Sequence, residues 1–178
     1  LLGAALEYCR AQTEPQRVVT VICDHGAKYL SKMFNDHWMI DKGFIQRETH
    51  GNLRDLVGRR HLDREDYVLT PGTPLSQVIK KMAMYAVSQM VVMSDATVEG
   101  IIDESDVLMA MVHDRENANR PVSDFMTRRL ETITPESSVN DLVPIFKADR
   151  VAIVMDDEHY YGLITKIDLI NFLRNQLP

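Results

Sequence analysis

The feature that most constrains this chain is an internal repeat in its last two thirds. Residues 68–82, "VLTPGTPLSQVIKKM", align with residues 132–146, "TITPESSVNDLVPIF", at a constant offset of 64. Further along, "MVVM" (90–93) matches "AIVM" (152–155), at an offset of 62. Repeats of this size seldom bury their apolar surface alone, so we expect the two units to pack on each other as a pseudo-twofold pair.

The order of apolar patterns within a unit predicts helix, strand, helix, strand, strand, helix. The leading helix is predicted from "LRDLVGRR" (53–60), which is similar to "VSDFMTRR" (122–129). The predicted fold class is therefore α/β (α+β), with two tandem repeats. The predicted segments are a different N-terminal piece, a linker with the leading helix, a first repeat and a second repeat, over residues 1–45, 46–62, 63–116 and 117–178.

The N-terminal piece has a helix–strand–helix pattern. "LLGAALEYCRAQ" (1–12) is amphipathic, "RVVTVIC" (17–23) has the continuous apolar run of a buried strand, and "AKYLSKMF" (27–34) is a second predicted helix. One strand cannot form a sheet, so the other strands of its domain must come from outside these residues. Because Leu1 already lies within a helical pattern, we expect a fragment of a longer protein. The polar segment 43–53 is the predicted linker.

Charge and composition exclude several classes of function. Residues 63–178 carry eleven Lys or Arg against nineteen Asp or Glu, and such an acidic body repels nucleic acid. Since no apolar run approaches the roughly 18 residues of a membrane span and no leader is recognisable, we expect a cytoplasmic protein without a membrane partner. The six histidines and two cysteines show no metal-ligand spacing, so no metal site is predicted.

A glycine followed by an aspartate at a strand-to-helix turn occurs in both repeats, in "GIIDESDVLMAM" (100–111) and "GLITKIDLINFL" (162–173). Two interpretations of Asp106 and Asp168 stay open. An aspartate before an apolar helix is a good N-cap. Its carboxylate could instead accept hydrogen bonds from the two adjacent hydroxyls of a ribose, with a threonine hydroxyl close by.

The paired units resemble CBS domains joined as a Bateman module, with the glycine–apolar–apolar–threonine–x–x–aspartate signature at Gly162, Thr165 and Asp168. Residues 18–44, "VVTVICDHGAKYLSKMFNDHWMIDKGF", are similar to the end of the catalytic domain in cystathionine β-synthases, which are fold-type II pyridoxal phosphate (PLP) enzymes. The resemblance implies a C-terminal fragment of a bacterial-type cystathionine β-synthase. Residues 1–45 would then be the end of the PLP domain of a lyase in cysteine metabolism.

By the same resemblance, the repeats share a regulatory site for an adenosyl ligand, either S-adenosylmethionine or AMP/ATP. The implied site residues are Thr165, Asp168, Tyr67, Val68, Val87, Ser88, Gln89 and Met90, and a weaker second site would use Asp103, Asp106, Thr132 and Arg150. The carboxylates crowded at 103–106 favour one dominant site, at Thr165. A structural or oligomerising module without ligand is the alternative function. Either version implies a homodimer formed through the CBS modules and contact with the chain's own PLP domain.

We predict that the purified chain has no catalytic activity of its own. PLP chemistry needs a Schiff-base lysine and a phosphate-binding loop, and none of the seven lysines lies in a family lysine motif. Absorbance spectra should show no PLP band, and assays should show no β-replacement turnover. A PLP adduct trapped by borohydride on a lysine of this chain would contradict the prediction.

Overall fold

The computed structural model describes residues 1–22 and 24–176, which form two compact units, Leu1–Thr49 and the remainder from His50 onward. Cys23 of the predicted strand and the last two residues of the predicted second repeat lie outside the described residues. None of the helices in the described ranges combines the length and apolar character needed to cross a bilayer.

The regular secondary structure described in the N-terminal unit consists of helices. Helix α1 spans Leu2–Ala11, and the short helix α2 spans Asp36–Asp41 and is capped by the side chain of Asn35. The helix predicted over 27–34 is mostly turn, with a 3-10 helix at Gly26–Tyr29.

The strand predicted over 17–23 is wrong for residues 17–22, which are exposed and form no strand. The apolar side chains stand in water, with Val19 86% and Ile22 87% exposed. The physical reason is that a strand needs a hydrogen-bonded neighbour, and no described residue of this unit forms a strand to provide one.

The first repeat is a three-stranded sheet with two helices. Its elements are β1 (Val68–Leu69), α3 (Leu75–Tyr85), β2 (Gln89–Ser94), β3 (Thr97–Asp103) and α4 (Glu104–His113). The sheet order is β1-β2-β3, with β1 parallel and β3 antiparallel to β2. Leu75, Val78 and Met82 lie at helical spacing and are buried, which explains why the segment is a helix packed on the sheet.

The second repeat has the same topology, which confirms the tandem α/β repeats predicted from the sequence. Its elements are β4 (Thr132–Ile133), α5 (Val139–Lys147), β5 (Ala152–Met155), β6 (Tyr160–Ile164) and α6 (Lys166–Asn175). The sheet order is β4-β5-β6, again with one parallel and one antiparallel pairing.

The central strands are buried on both faces. In β2, Met90 and Val92 pack against α3 and α4, whereas Val91 and Met93 belong to a different cluster with Ile153 of β5 and Tyr160 of β6. Side chains alternate along a strand, so this second cluster lies between the two sheets. The continuous apolar runs in the sequence follow directly from burial on two faces.

The segment that precedes the first repeat packs on the second repeat. Residues 53–61 are called the lead segment below. Leu53, Leu56 and Val57 join the second repeat's core, and the helix predicted here is only a 3-10 turn at Leu53–Leu56. Gly162 permits this close packing: a Cβ there would lie 2.4 Å from Val57 Cγ1. The segment 122–129 is also shorter in helix than predicted, with a 3-10 turn at Val122–Asp124.

We predict that residues 50–178 fold cooperatively without the N-terminal unit. The exposed stretch between Gly43 and Thr49 should therefore be the first site of limited proteolysis, as mass spectrometry of the fragments would show. The truncated module should keep the thermal midpoint of the whole chain's cooperative transition. First cleavage between Asp114 and Pro121 would contradict the prediction, because it would separate two repeats that share a core.

Candidate functional site: a cleft between the two repeats

The second repeat's signature builds the N-terminus of α6. Thr165, not Asp168, is the N-cap, and Asp168 stands at the third helical position in a capping box. The carboxylate oxygen Asp168 Oδ2 accepts from the backbone N–H of Thr165 at 2.8 Å and from its hydroxyl at 2.5 Å. Asp168 therefore takes part in capping α6, but from the third helical position and not as the N-cap residue. The second oxygen, Oδ1, takes no part in the capping box and lies beside Gly58, where a built Cβ would stand 2.5 Å from it.

The first repeat builds the same local structure with a different N-cap. Asp103 takes the threonine's place, and its carboxylate accepts from the backbone N–H of Asp106 at 2.9 Å, while Asp106 accepts from the N–H of Asp103 at 3.2 Å. Partial burial, with repulsion from Asp103 as a smaller cause, raises the pKa of the Asp106 carboxyl. This turn therefore presents two like charges where the second repeat presents one.

A cleft of about 600 Å³ lies where the start of α6 faces the first repeat. The structure brings most of the predicted site residues together there. Those lining the cleft are Tyr67, Val87, Ser88, Gln89, Met90, Thr165 and Asp168, together with Asp103 and Arg150 of the predicted second site. They come from both repeats, and the adjacent end of α3, Ala86, has a left-handed backbone that turns the chain into β2.

Three predicted residues do not line the cleft. Val68 packs in the core between the sheets, because its side chain points away from the face that Tyr67 presents. Asp106 and Thr132 are also absent from the lining. Arg150, which does line the cleft, forms an ion pair with Glu131, the neighbour of Thr132. The predicted second site is therefore divided, with only Asp103 and Arg150 facing the cleft.

Carboxylates outnumber cations around the cleft. The charged lining residues are Arg59, Arg150 and Lys166 against Asp66, Asp103, Glu104, Asp149 and Asp168. Lys166 pairs with Asp149, and this hydrogen bond lowers the pKa of that exposed carboxyl. Asp66 pairs with His61 at 3.0 Å. Of these three cations, Arg150 and Lys166 form ion pairs with carboxylates. The guanidinium carbon of Arg59 instead lies 4.9 Å from the ring centroid of Tyr67.

Sequence reasoning missed Gly58 and Tyr160, which line the cleft together with Arg59. Gly58 and Arg59 belong to the lead segment, where the match of "LRDLVGRR" with "VSDFMTRR" predicted a helix. Tyr160 had no signal, because its burial depends on contact between the sheets. Burial raises the pKa of the Tyr160 hydroxyl, so it stays protonated and can donate. Within the described ranges, no cluster of three His, Cys, Asp or Glu could hold a metal ion.

Curated relatives match almost the whole chain at low identity. Cystathionine β-synthase of Dictyostelium discoideum is 24% identical over 191 residues, which covers 97% of this chain and 37% of the relative. Cystathionine β-synthase of Apis mellifera is 21% identical and covers 97% and 36%. The chain thus spans just over a third of these relatives. Both are eukaryotic, so the bacterial type stays a prediction.

Solved structures share the fold. An acetoin utilization protein (AcuB) of Vibrio cholerae superposes with a TM-score of 0.61 at 16% identity, covering 70% of this chain and 91% of that one. CBSX2, solved in complex with AMP, gives the same TM-score and identity and covers 70% and 97%.

The family model described as "CBS domain" matches twice, at residues 55–113 and 122–175. The two matches cover more than half of the chain and coincide with the two structural repeats. This confirms the resemblance inferred from the signature at Gly162, Thr165 and Asp168. The chain therefore belongs to the CBS domain family.

Proposed function

We propose that the cleft binds an adenosyl ligand and that the module regulates an enzyme to which it is joined. The observation that carries the proposal is the state of Asp168. Its Oδ2 accepts hydrogen bonds from Thr165, whereas Oδ1 takes no part in the capping box, and the residue lines the cleft. A ribose offers two adjacent hydroxyl donors, which suit one unoccupied carboxylate oxygen.

The first repeat would supply the surface for the base. Val87 and Met90 are apolar, and Gln89 can both donate to and accept from the edge of an adenine. The cleft's volume falls within the range of roughly 300–1,000 Å³ for small-molecule sites. CBSX2, which has the same fold, was crystallised with AMP. These observations support an adenosine-type ligand.

The charges in the cleft favour S-adenosylmethionine over ATP. Asp103 and Glu104 face the same cleft as Asp168. A polyphosphate would meet these carboxylates, and each uncompensated like-charge contact costs about 1 kcal/mol or more. A sulfonium cation is attracted by them instead. AMP, with a single phosphate near Arg59, is the next candidate.

The regulated enzyme in this proposal is a PLP-dependent cystathionine β-synthase, a lyase of cytoplasmic cysteine biosynthesis. Two curated relatives of that name align with nearly all of this chain. In addition, residues 18–22 expose apolar side chains in a segment without a strand partner among the described residues. A sheet of the PLP domain would cover them.

We predict that Asp168→Ala weakens S-adenosylmethionine binding at least tenfold. Hydrogen bonds to a charged group contribute about 1.5–3 kcal/mol, and 1.4 kcal/mol corresponds to about tenfold. Isothermal titration calorimetry of the whole chain measures this directly.

Asp106→Ala is the matched control. Asp106 holds the same position in the capping box of α4 but does not line the cleft. Both variants should lose about 0.5–2 kcal/mol of stability, while only Asp168→Ala loses affinity. Weakened binding in the Asp106 variant alone would move the site to the first repeat. If the unmutated chain binds no adenosyl compound, the ligand-sensor proposal is wrong.

A structural or oligomerising role is the second candidate, and the surface of α4 favours it. Leu108, Met109 and Val112 are 60%, 68% and 74% exposed. Val112 lies four residues after Leu108 and three after Met109, so the three side chains form one apolar patch on the helix. A second copy of the module is the partner we propose for this patch, consistent with the predicted homodimer.

We predict that Met109→Lys shifts the chain from dimer to monomer, because a buried lysine in an apolar interface loses its hydration. Sedimentation velocity should show the change. Asp157→Lys, at an exposed position in the β5–β6 turn, should leave the dimer intact. A parent chain that sediments as a monomer would contradict the dimer.

A further inference from the structure

Gly58 lies directly against Oδ1 of Asp168, the oxygen that Thr165 does not occupy. A Cβ built on Gly58 would stand 2.5 Å from Asp168 Oδ1 and 3.3 Å from its carboxyl carbon. Real Cβ atoms essentially never approach other atoms to 2.5 Å. Gly58 does not have a positive φ, unlike Gly43, Gly51 and Gly162. The backbone therefore does not demand glycine here, and the neighbouring carboxylate is the reason for a missing side chain.

Asp168 cannot easily move away from a side chain at position 58. Its other oxygen is held by the backbone N–H and the hydroxyl of Thr165. The two carboxylate oxygens move together, so displacing Oδ1 would break the capping box of α6. If the carboxylate stayed in place, a side chain at position 58 would cover Oδ1.

We propose that Gly58 is a positioning residue for the ligand site: its lack of a side chain keeps Asp168 Oδ1 accessible to the ligand. The effect of Gly58 on ligand affinity rests on the proposed function. Its steric basis, contact between positions 58 and 168, does not depend on any ligand.

The lead segment is fixed to the second repeat on both sides of Gly58. Leu53 N–H donates to the carbonyl of Pro135 at 2.9 Å, and His61 N–H donates to the carbonyl of Tyr161 at 2.9 Å. Val57 is 1% exposed within the second repeat's core. The backbone at position 58 therefore has little freedom to retreat from Asp168.

The matching position in the other repeat carries a side chain. In the alignment of "LRDLVGRR" with "VSDFMTRR", Gly58 corresponds to Thr127. The two segments pack in similar places, since a Cβ on Gly100 would meet Met126 as one on Gly162 meets Val57. The carbonyl that each Cβ would meet differs by one position in the alignment, being that of Thr127 in the first repeat and that of Arg59 in the second. Asp106, the counterpart of Asp168, does not line the cleft. The glycine thus accompanies the aspartate that faces the cleft.

The test is a double-mutant cycle on the whole chain with Gly58→Ala, Asp168→Ala and the combined variant. S-adenosylmethionine affinity is measured by calorimetry, and the thermal midpoint is measured without ligand. Thr127→Ala is the matched control, because it changes the equivalent position, where a side chain already exists. Circular dichroism checks that each variant is folded.

Gly58→Ala should weaken binding at least tenfold, and Thr127→Ala should leave it unchanged. The combined variant should bind no more weakly than Asp168→Ala alone. Without ligand, Gly58→Ala should lower the midpoint by about 3–6 °C, and this loss should vanish once Asp168 is alanine. Gly58→Ala could also lower the affinity or the thermal midpoint when Asp168 is already alanine. The role of Gly58 would then be merely structural, and the proposal would be overturned.

The thermal midpoints measured without ligand test this proposal separately from the proposed ligand binding. If the parent chain binds no adenosyl compound, the proposed function fails, while coupling of the midpoints still supports the contact between positions 58 and 168. Independent midpoints would refute the positioning role whatever the ligand.

Discussion

Each repeat has a three-stranded sheet with two apolar faces but only two helices to cover one of them. The uncovered faces meet in a shared cluster that includes Val91, Met93, Ile153 and Tyr160. At roughly 25 cal/mol per Å² of apolar area, such burial is a main source of the module's stability. It also places the cleft, because the start of α6 and Ser88 and Gln89 of the other repeat line the same space. The cleft between the repeats is a consequence of how the sheets must be covered.

The signature residues at this interface build a helix cap and, in the proposed function, a ligand site. Thr165 begins α6 and occupies one oxygen of Asp168, which orders the helix and fixes the carboxylate. In the proposed function the other oxygen binds the ligand. The capping and ligand interpretations of Asp168 are then compatible, since each uses a different oxygen. Gly58 completes this arrangement from the lead segment, which reaches the second repeat before the chain enters the first.

The repeated architecture could be predicted from the sequence because it depends on local patterns. The runs "MVVM" and "AIVM" predict strands, and the spacing of Leu75, Val78 and Met82 predicts a helix. The strand at 17–22 was predicted wrongly, because a strand also needs a neighbour, which the pattern cannot supply. The predicted site residues Thr165 and Gln89 do line one cleft, whereas Val68 does not. Gly58 could not be predicted, since its significance lies in contact with a residue 110 positions away.

The central claim is that one adenosyl ligand lies between the start of α6 and the first repeat, beside the lead segment. Titration of the ¹⁵N-labelled chain with S-adenosylmethionine, followed by amide chemical shifts, tests it most directly. We expect the largest shifts at Gly58, Gln89 and Thr165. Shifts concentrated at Thr127 and Asp106 would place the ligand at the first repeat, and the absence of saturable shifts would contradict a ligand-binding module.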